Sequence, residues 1–227
     1  MTAPTQAALL GALRRGHYLR VVNWHSTPLS AAPALERELE DLARRYAAVS
    51  VADLDRFVDT GVWHKDRPGV IPVFYEGYRN SAEVAAPLCA QAGLTGWFPV
   101  ATAFIDCPDA HQESFARSHW IDLKDEDLLA GGRLAMTWDD VAALGEHHEV
   151  LPHTAHHVGF DTVVTEEDLE REVVEPKRKV EAAIGRPTEV FAWLHGSAFG
   201  RSGLHDRAVQ GAGYRYQISN TAIHRIA

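Results

Sequence analysis

His153 and His157 stand four residues apart in the stretch Pro152-His153-Thr154-Ala155-His156-His157, directly after an apolar run. Two imidazoles at this spacing can grip one metal ion from a strand exit, because neutral imidazole is the commonest side-chain ligand for first-row metals. Such a pair needs at least one further ligand and an open position before it can do chemistry. Side chains able to ligate or to move protons recur in the same setting elsewhere in the chain. His25, Tyr75 with Glu76, and His195 each follow an apolar run. Four such coincidences point to one site assembled from several strand ends.

The elements that must carry these residues can be read from periodicity. Leu19 to Trp24 predicts a strand that delivers His25, and Leu35, Leu39, Leu42 and Tyr46 recur at helical spacing after Pro33. Val70 to Tyr75 predicts a second strand, followed by a helix from Ser81 that stops near Gly93 as a left-handed terminator. Trp97 to Ile105 predicts another strand. Positions 106 to 135 show no clear period, a length that suggests a lid or substrate loop. Thr137-Trp138-Asp139-Asp140 opens like a capping box, with Asp in place of Glu, into a helix reaching Leu144. His148 to Leu151 is the strand that delivers the paired histidines.

A longer helix is expected from Thr165, with Leu169, Val173, Val180 and Ile184 on one stripe, an end at Gly185, and a kink or division at Pro176. Glu189 to Leu194 reads as a strand opening into His195-Gly196-Ser197, and a last helix-strand pair covers 203 to 219. Repeated strand-helix units imply an α/β fold with a mostly parallel sheet, open or closed into a barrel. In either form functional residues collect where the strands end.

Composition sets the limits on function. The chain has 227 residues, 46% hydrophobic and 23% charged, enough for one full-sized core. A formal charge of −9 argues against a nucleic-acid partner, and Arg14-Arg15 and Lys177-Arg178-Lys179 read as solvated faces. No apolar run approaches the roughly 20 residues needed to span a bilayer, so no membrane partner is expected. The first residues lack the pattern of a secretory signal, so cytoplasmic residence is expected. Cys89 and Cys107 form no disulfide pattern and read as reduced, structural thiols. Positions 1–18 read as an N-terminal helical extension and 19–227 as a single domain.

The motif series carries a resemblance. Trp24-His25, Phe74-Tyr75-Glu76-Gly77-Tyr78, Met136-Thr137-Trp138-Asp139-Asp140, His148-Glu149-Val150, His153-Thr154-Ala155-His156-His157, Phe191-Ala192-Trp193-Leu194-His195-Gly196 and Ala212-Gly213-Tyr214 together resemble the NodB-homology polysaccharide deacetylases, carbohydrate esterase family 4. The resemblance covers roughly 19 to 226. It implies a distorted (β/α) barrel and a divalent metal, most often zinc, held by one aspartate and two histidines. It also implies a second aspartate as base and attack by activated water on an N-acetyl carbonyl.

Position by position, His153 and His157 match the family's histidine ligands and Glu76 stands at the metal-binding aspartate, a change that keeps an oxygen ligand. Zinc or another first-row divalent metal suits one carboxylate and two imidazoles. Tyr75 stands at the base position, and a phenol with a pKa near 10 is a poor proton acceptor at neutral pH unless a metal or cation lowers it. The arginine that orients the base in relatives is replaced in the Ala192-Trp193-Leu194-His195 segment, and Ser219-Asn220 lies where an acid is often found. His195, then His25, are the substitute acid or base, and Trp193 with Leu194 are expected to form an apolar wall of the substrate pocket. The expected function is hydrolysis of a non-peptide carbon–nitrogen bond in a small or sugar-derived N-acyl or cyclic amide substrate. The competing expectation is a catalytically silent binding or regulatory protein that keeps the barrel.

Overall fold

Short apolar segments form the strands, and the central ones, such as 69–74 and 97–100, are buried along their whole length. In the computed structural model, which describes residues 18–226, the strands are β1 (Leu19–Trp24), β2 (Ala47–Ala48), β3 (Gly69–Phe74), β4 (Trp97–Val100), β5 (Glu149–Pro152), β6 (Val190–Ala192), β7 (Tyr216–Ser219) and β8 (Ala222–Arg225). The helical extension expected over 1–18 lies, but for its last residue, outside the described residues. β1, β3, β4 and β5 form a parallel sheet in that order, with β2 alongside the start of β3. β6 and β7 are parallel and β8 returns antiparallel to make a second sheet.

The two sheets curl into a distorted barrel. β5 lies against β6 and β8 against β1, and neither seam carries a backbone ladder. Side chains stitch the seams instead. Thr188 Oγ1 donates to the Val150 carbonyl at 2.8 Å, His153 Nδ1 to the Ala192 carbonyl at 2.9 Å, and Asn23 Nδ2 to the Asn220 carbonyl at 3.0 Å.

Strand alternation separates inside from outside. Val21, Ile71, Val73, Trp97, Leu151, Val190, Ala192, Tyr216 and Ile218 fill the barrel, whereas Val70, Phe74, Phe98 and Val150 pack outward on the helices. The helix Ala32–Arg45 does this with Leu35, Leu39 and Leu42, the stripe expected from its spacing. Gly93 and Gly185 end their helices with φ of 69° and 68°, as the sequence predicts.

Several expectations are corrected. The apolar run 97–105 is a strand only to Val100, and Thr102–Asp106 is a short helix whose Thr102, Phe104 and Ile105 are buried. A fully buried helix and a fully buried strand have the same apolar signature, so periodicity could not divide them. Positions 106–135 are an ordered subdomain with helices Gln112–Ser118 and Asp125–Leu129. Its packing is polar in part: buried Gln112 accepts from Leu134 N and Ala135 N and donates to the Cys107 carbonyl, which hides any apolar period. At Pro176 the helix is divided as expected, but by a wide turn at Glu170–Val174 that separates Glu166–Leu169 from the segment Glu175–Ile184, which carries Pro176 in its first turn. The strand expected over 189–194 is shorter and gives way to a tight turn at Leu194–Gly196. The helix Val51–Thr60 and β8 were not anticipated, although Ser50 and Asp53 make a full capping box. Among the described residues, no helix is long and apolar enough to cross a membrane.

Candidate metal centre and substrate pocket

The inward alternation of the strands continues past their ends and builds the pocket. From Val21 the count leads to Asn23 and His25, from Val73 to Tyr75, from Leu151 to His153, and from Ala192 to Leu194. All of these residues line one hollow of about 240 Å³, together with Glu76, Trp193, His195 and Asn220. Glu76 follows Tyr75 directly and in an extended chain would face the other way. Its φ of 73° turns the carboxylate into the same hollow. Larger hollows of about 440 Å³ by Arg79 and Asp127, and about 430 Å³ by Thr102 and Lys179, contain no comparable convergence of ligand atoms among the described residues.

Glu76, His153 and His157 each present one ligand atom, and these atoms lie within 4.8 Å of one another, with all three residues buried. The tautomers follow from the outer partners. A backbone carbonyl can only accept, so His153 Nδ1 donates to Ala192 at 2.9 Å and His157 Nδ1 donates to His119 at 2.6 Å. In the neutral rings both Nε2 lone pairs are then left free on the side of Glu76. His157 Nε2 has no hydrogen-bond partner among the described residues and lies 3.4 Å from Glu76 Oε1, acceptor against acceptor.

Burial, then the neighbouring His157, pushes the His153 imidazole down to about 3, which keeps it neutral. Burial alone would raise Glu76, but the hydrogen bond from His25 to both of its oxygens opposes this and holds the carboxyl low. Two lone pairs and a carboxylate therefore converge with no donor between His157 and Glu76. A cation satisfies that arrangement, and ligands at ~2.1 Å around a tetrahedral ion sit about 3.4 Å apart. The donor set fits a divalent metal.

The loop that carries His153 and His157 is held by Glu172. This buried carboxylate accepts from Ala155 N at 3.1 Å, His156 N at 2.9 Å and His156 Nδ1 at 2.8 Å. Thr154 and His157 both adopt positive φ in this turn, 62° and 53°. Backbone strain of that kind persists where surrounding bonds over-determine it.

The remaining expected residues form the walls. His25 Nδ1 bridges both Glu76 oxygens at 2.9 and 2.8 Å while its side chain is 57% exposed, and the hydrogen bond to Glu76 raises its pKa. Tyr75 packs between His25 and His153, with ring centroids 5.8 and 5.1 Å away. Burial, then the Glu76 charge, pushes its phenol well above the ordinary value. Trp193 is braced by Phe191 and His205, and His195 projects from the tight turn with φ 61°. All eight residues singled out from the sequence thus belong to one place: seven line the hollow and His157 is the buried partner behind Glu76.

Asn23, Asn220 and Glu172 were missed. Asn23 was legible as the inward position between Val21 and His25. Glu172 lies three residues after Leu169 on an apolar stripe, and an acid there signals a buried task. The carbonyls of Ala192 and His119 left no signal, because every residue has one.

No protein-family model and no curated protein matches the chain by sequence. Solved structures do match. The chain is similar to a de-N-acetylase from Aggregatibacter actinomycetemcomitans with a TM-score of 0.68 and 14% identity, covering 92% of this chain and 91% of that one. It is similar to the deacetylase PplD of Streptococcus pyogenes, solved with acetate, with a TM-score of 0.65 and 12% identity over 86% and 80% of the two chains. IcaB from Ammonifex degensii gives 0.63 and 13% over 88% and 82%. The fold is that of the polysaccharide deacetylases.

Proposed function

We propose that this chain is a divalent-metal hydrolase of a non-peptide carbon–nitrogen bond, removing a short acyl group from a small, sugar-derived N-acyl substrate. One observation carries the reading: Glu76, His153 and His157 bring ligand atoms within 4.8 Å of one another beside a pocket, with His157 Nε2 left without a partner, in a fold shared with solved deacetylases. Zinc is the first choice for one carboxylate and two imidazoles. When bound, the metal supplies Lewis-acid polarisation of the amide carbonyl and activation of water.

The chain's own residues divide the rest. His153 and His157 are held rigid through Nδ1, so their Nε2 atoms stay aimed at the centre without reorganisation. Tyr75 stays a neutral phenol and serves as a hydrogen-bond donor to substrate oxygen, not as a base. His25, whose pKa the hydrogen bond to Glu76 raises, is assigned the proton given to the departing amine, and His195, which lines the same hollow, the proton taken from water. Asn23 and Asn220 add polar edges, while Trp193 and Leu194 form the apolar wall against the acyl group. About 240 Å³ suits one sugar ring or a smaller amide. Two free thiols, Cys89 and Cys107, fit a reducing compartment.

A silent binding module has less support, since such a protein has no need of inward lone pairs without a donor. Metal analysis of the purified chain, paired with an acetate-release assay on N-acetylglucosamine, tests the proposal. About one metal per chain with metal-dependent release is expected; release that survives chelation would overturn it.

A further inference from the structure

The hollow of about 430 Å³ by Thr102 and Lys179 is larger than the metal pocket and shares no lining residue with it. The turn 153–157 stands between the two: His153 lines the pocket, while Ala155 and His156 line the second hollow. A concavity of this size suits a small organic molecule.

The chemistry of the hollow follows from which of its polar groups the chain has already used. Asp106 is spent, since Oδ1 accepts from Trp138 Nε1 at 2.9 Å and Oδ2 from Lys179 Nζ at 2.7 Å. Glu175 meets the same lysine at 3.4 Å. Arg171 gives Nε to Glu172 at 3.0 Å and Nη2 to Asp168 at 2.5 Å, which leaves Nη1. Thr102 is only 1% exposed, and its hydroxyl has no hydrogen-bond partner among the described residues. Buried polar groups are seldom left in that state, because the lost hydration is not repaid. Two donors are therefore unspent here, one of them charged. Apolar surface supplies the rest of the wall: the rings of Phe115 and His156 have centroids 6.4 Å apart, and Ala103 and Ala155 lie beside them.

We propose that this hollow is a second ligand site, for the anion of a small carboxylic acid with an apolar or aromatic body. Arg171 and the Thr102 hydroxyl take the carboxylate, and Phe115 with His156 takes the body. A guanidinium N–H on a carboxylate is among the stronger hydrogen bonds available to a protein. Inorganic phosphate would meet the same charge but leave the aromatic side unfilled. The site lies outside the metal pocket and stands independently of the hydrolase reading.

Cys107 lines this hollow and not the metal pocket, and Cys89 is fully buried. Alkylation of the full chain by N-ethylmaleimide, followed by intact-protein mass, therefore reports on the second hollow, and Cys107→Ser assigns the adduct. The probes are benzoate, benzyl alcohol, which keeps the ring without the charge, and inorganic phosphate, which keeps the charge without the ring. Benzoate should slow alkylation saturably, and the other two should not. A carboxylate captured at Glu76, His153 and His157 would leave Cys107 unprotected. Arg171→Gln should raise the benzoate dissociation constant about tenfold. Thr102→Val keeps the shape and removes only the unpartnered hydroxyl. It should raise the constant about fivefold while leaving the thermal midpoint of the free chain unchanged or higher. No protection by benzoate, equal protection by benzyl alcohol or by phosphate, or an unchanged dissociation constant in both variants would overturn the site.

Discussion

β5 carries a buried histidine at each end, and the two are used in opposite ways. His148, before the strand, accepts the Gly96 N–H at Nδ1 at 3.2 Å and meets the Ala86 carbonyl with its other nitrogen. His153, after it, spends only Nδ1 on a carbonyl and leaves Nε2 aimed at Glu76 and His157. Both are buried, and burial lowers both pKa values. Neither burial nor a displaced pKa therefore separates a structural histidine from a ligand. The separating feature is whether the second nitrogen has a partner from the chain.

The largest test of that contrast removes one member of each kind. Glu76→Ala or His157→Ala should drop bound metal, measured by inductively coupled plasma mass spectrometry, to background and acyl release by at least ~10²-fold. His148→Ala should leave metal content intact and instead cost about 2 kcal/mol of stability in urea unfolding, because it opens a void and orphans the Gly96 N–H. Metal loss in the His148 variant would collapse the distinction.

A smaller effect sharpens the same pair through pH. His148 has a lowered folded pKa against about 6.5 unfolded, so below that value the unfolded chain binds a proton that the folded chain refuses. Its contribution is whole above pH ~6.5 and is lost as pH falls. His148→Gln should flatten that part of the acid limb in thermal melts, and an unchanged limb would count against it.

At the pocket, His25→Ala should weaken metal affinity about 10- to 100-fold in chelator competition, since Glu76 would lose the group that orients both its oxygens. Tyr75→Phe should have the least effect, less than tenfold in kcat with metal content unchanged. A loss beyond 10²-fold would give Tyr75 a larger part in the reaction than one hydrogen bond at the margin of the pocket.

The strand ends were legible because hydrophobic runs and their exits are sequence properties, and they placed His25, Tyr75, Glu76, His153 and His195 in one neighbourhood. Backbone handedness was not. Nothing in Tyr75-Glu76 states that the second residue turns back by φ 73° to share a pocket with the first. The region 106–135 looked structureless because Gln112, a polar residue, organises it through three hydrogen bonds. The run 97–105 misled for the opposite reason, being apolar throughout while its backbone changes from strand to helix at Ala101.

The hydrogen bond from His153 to Ala192 bridges the seam between β5 and β6, where no ladder joins the two sheets. The same ring that fastens the barrel shut is the one that would grasp the ion. Occupancy of the centre is then felt by the whole shell: a metal held at a hundred times its dissociation constant adds about 2.7 kcal/mol to folding. With the ion stripped, the ring is freed to tilt, and amide hydrogens along Val190–Ala192 should exchange ahead of those in β3. The chain would thus report its metal state as looseness along one line of its wall.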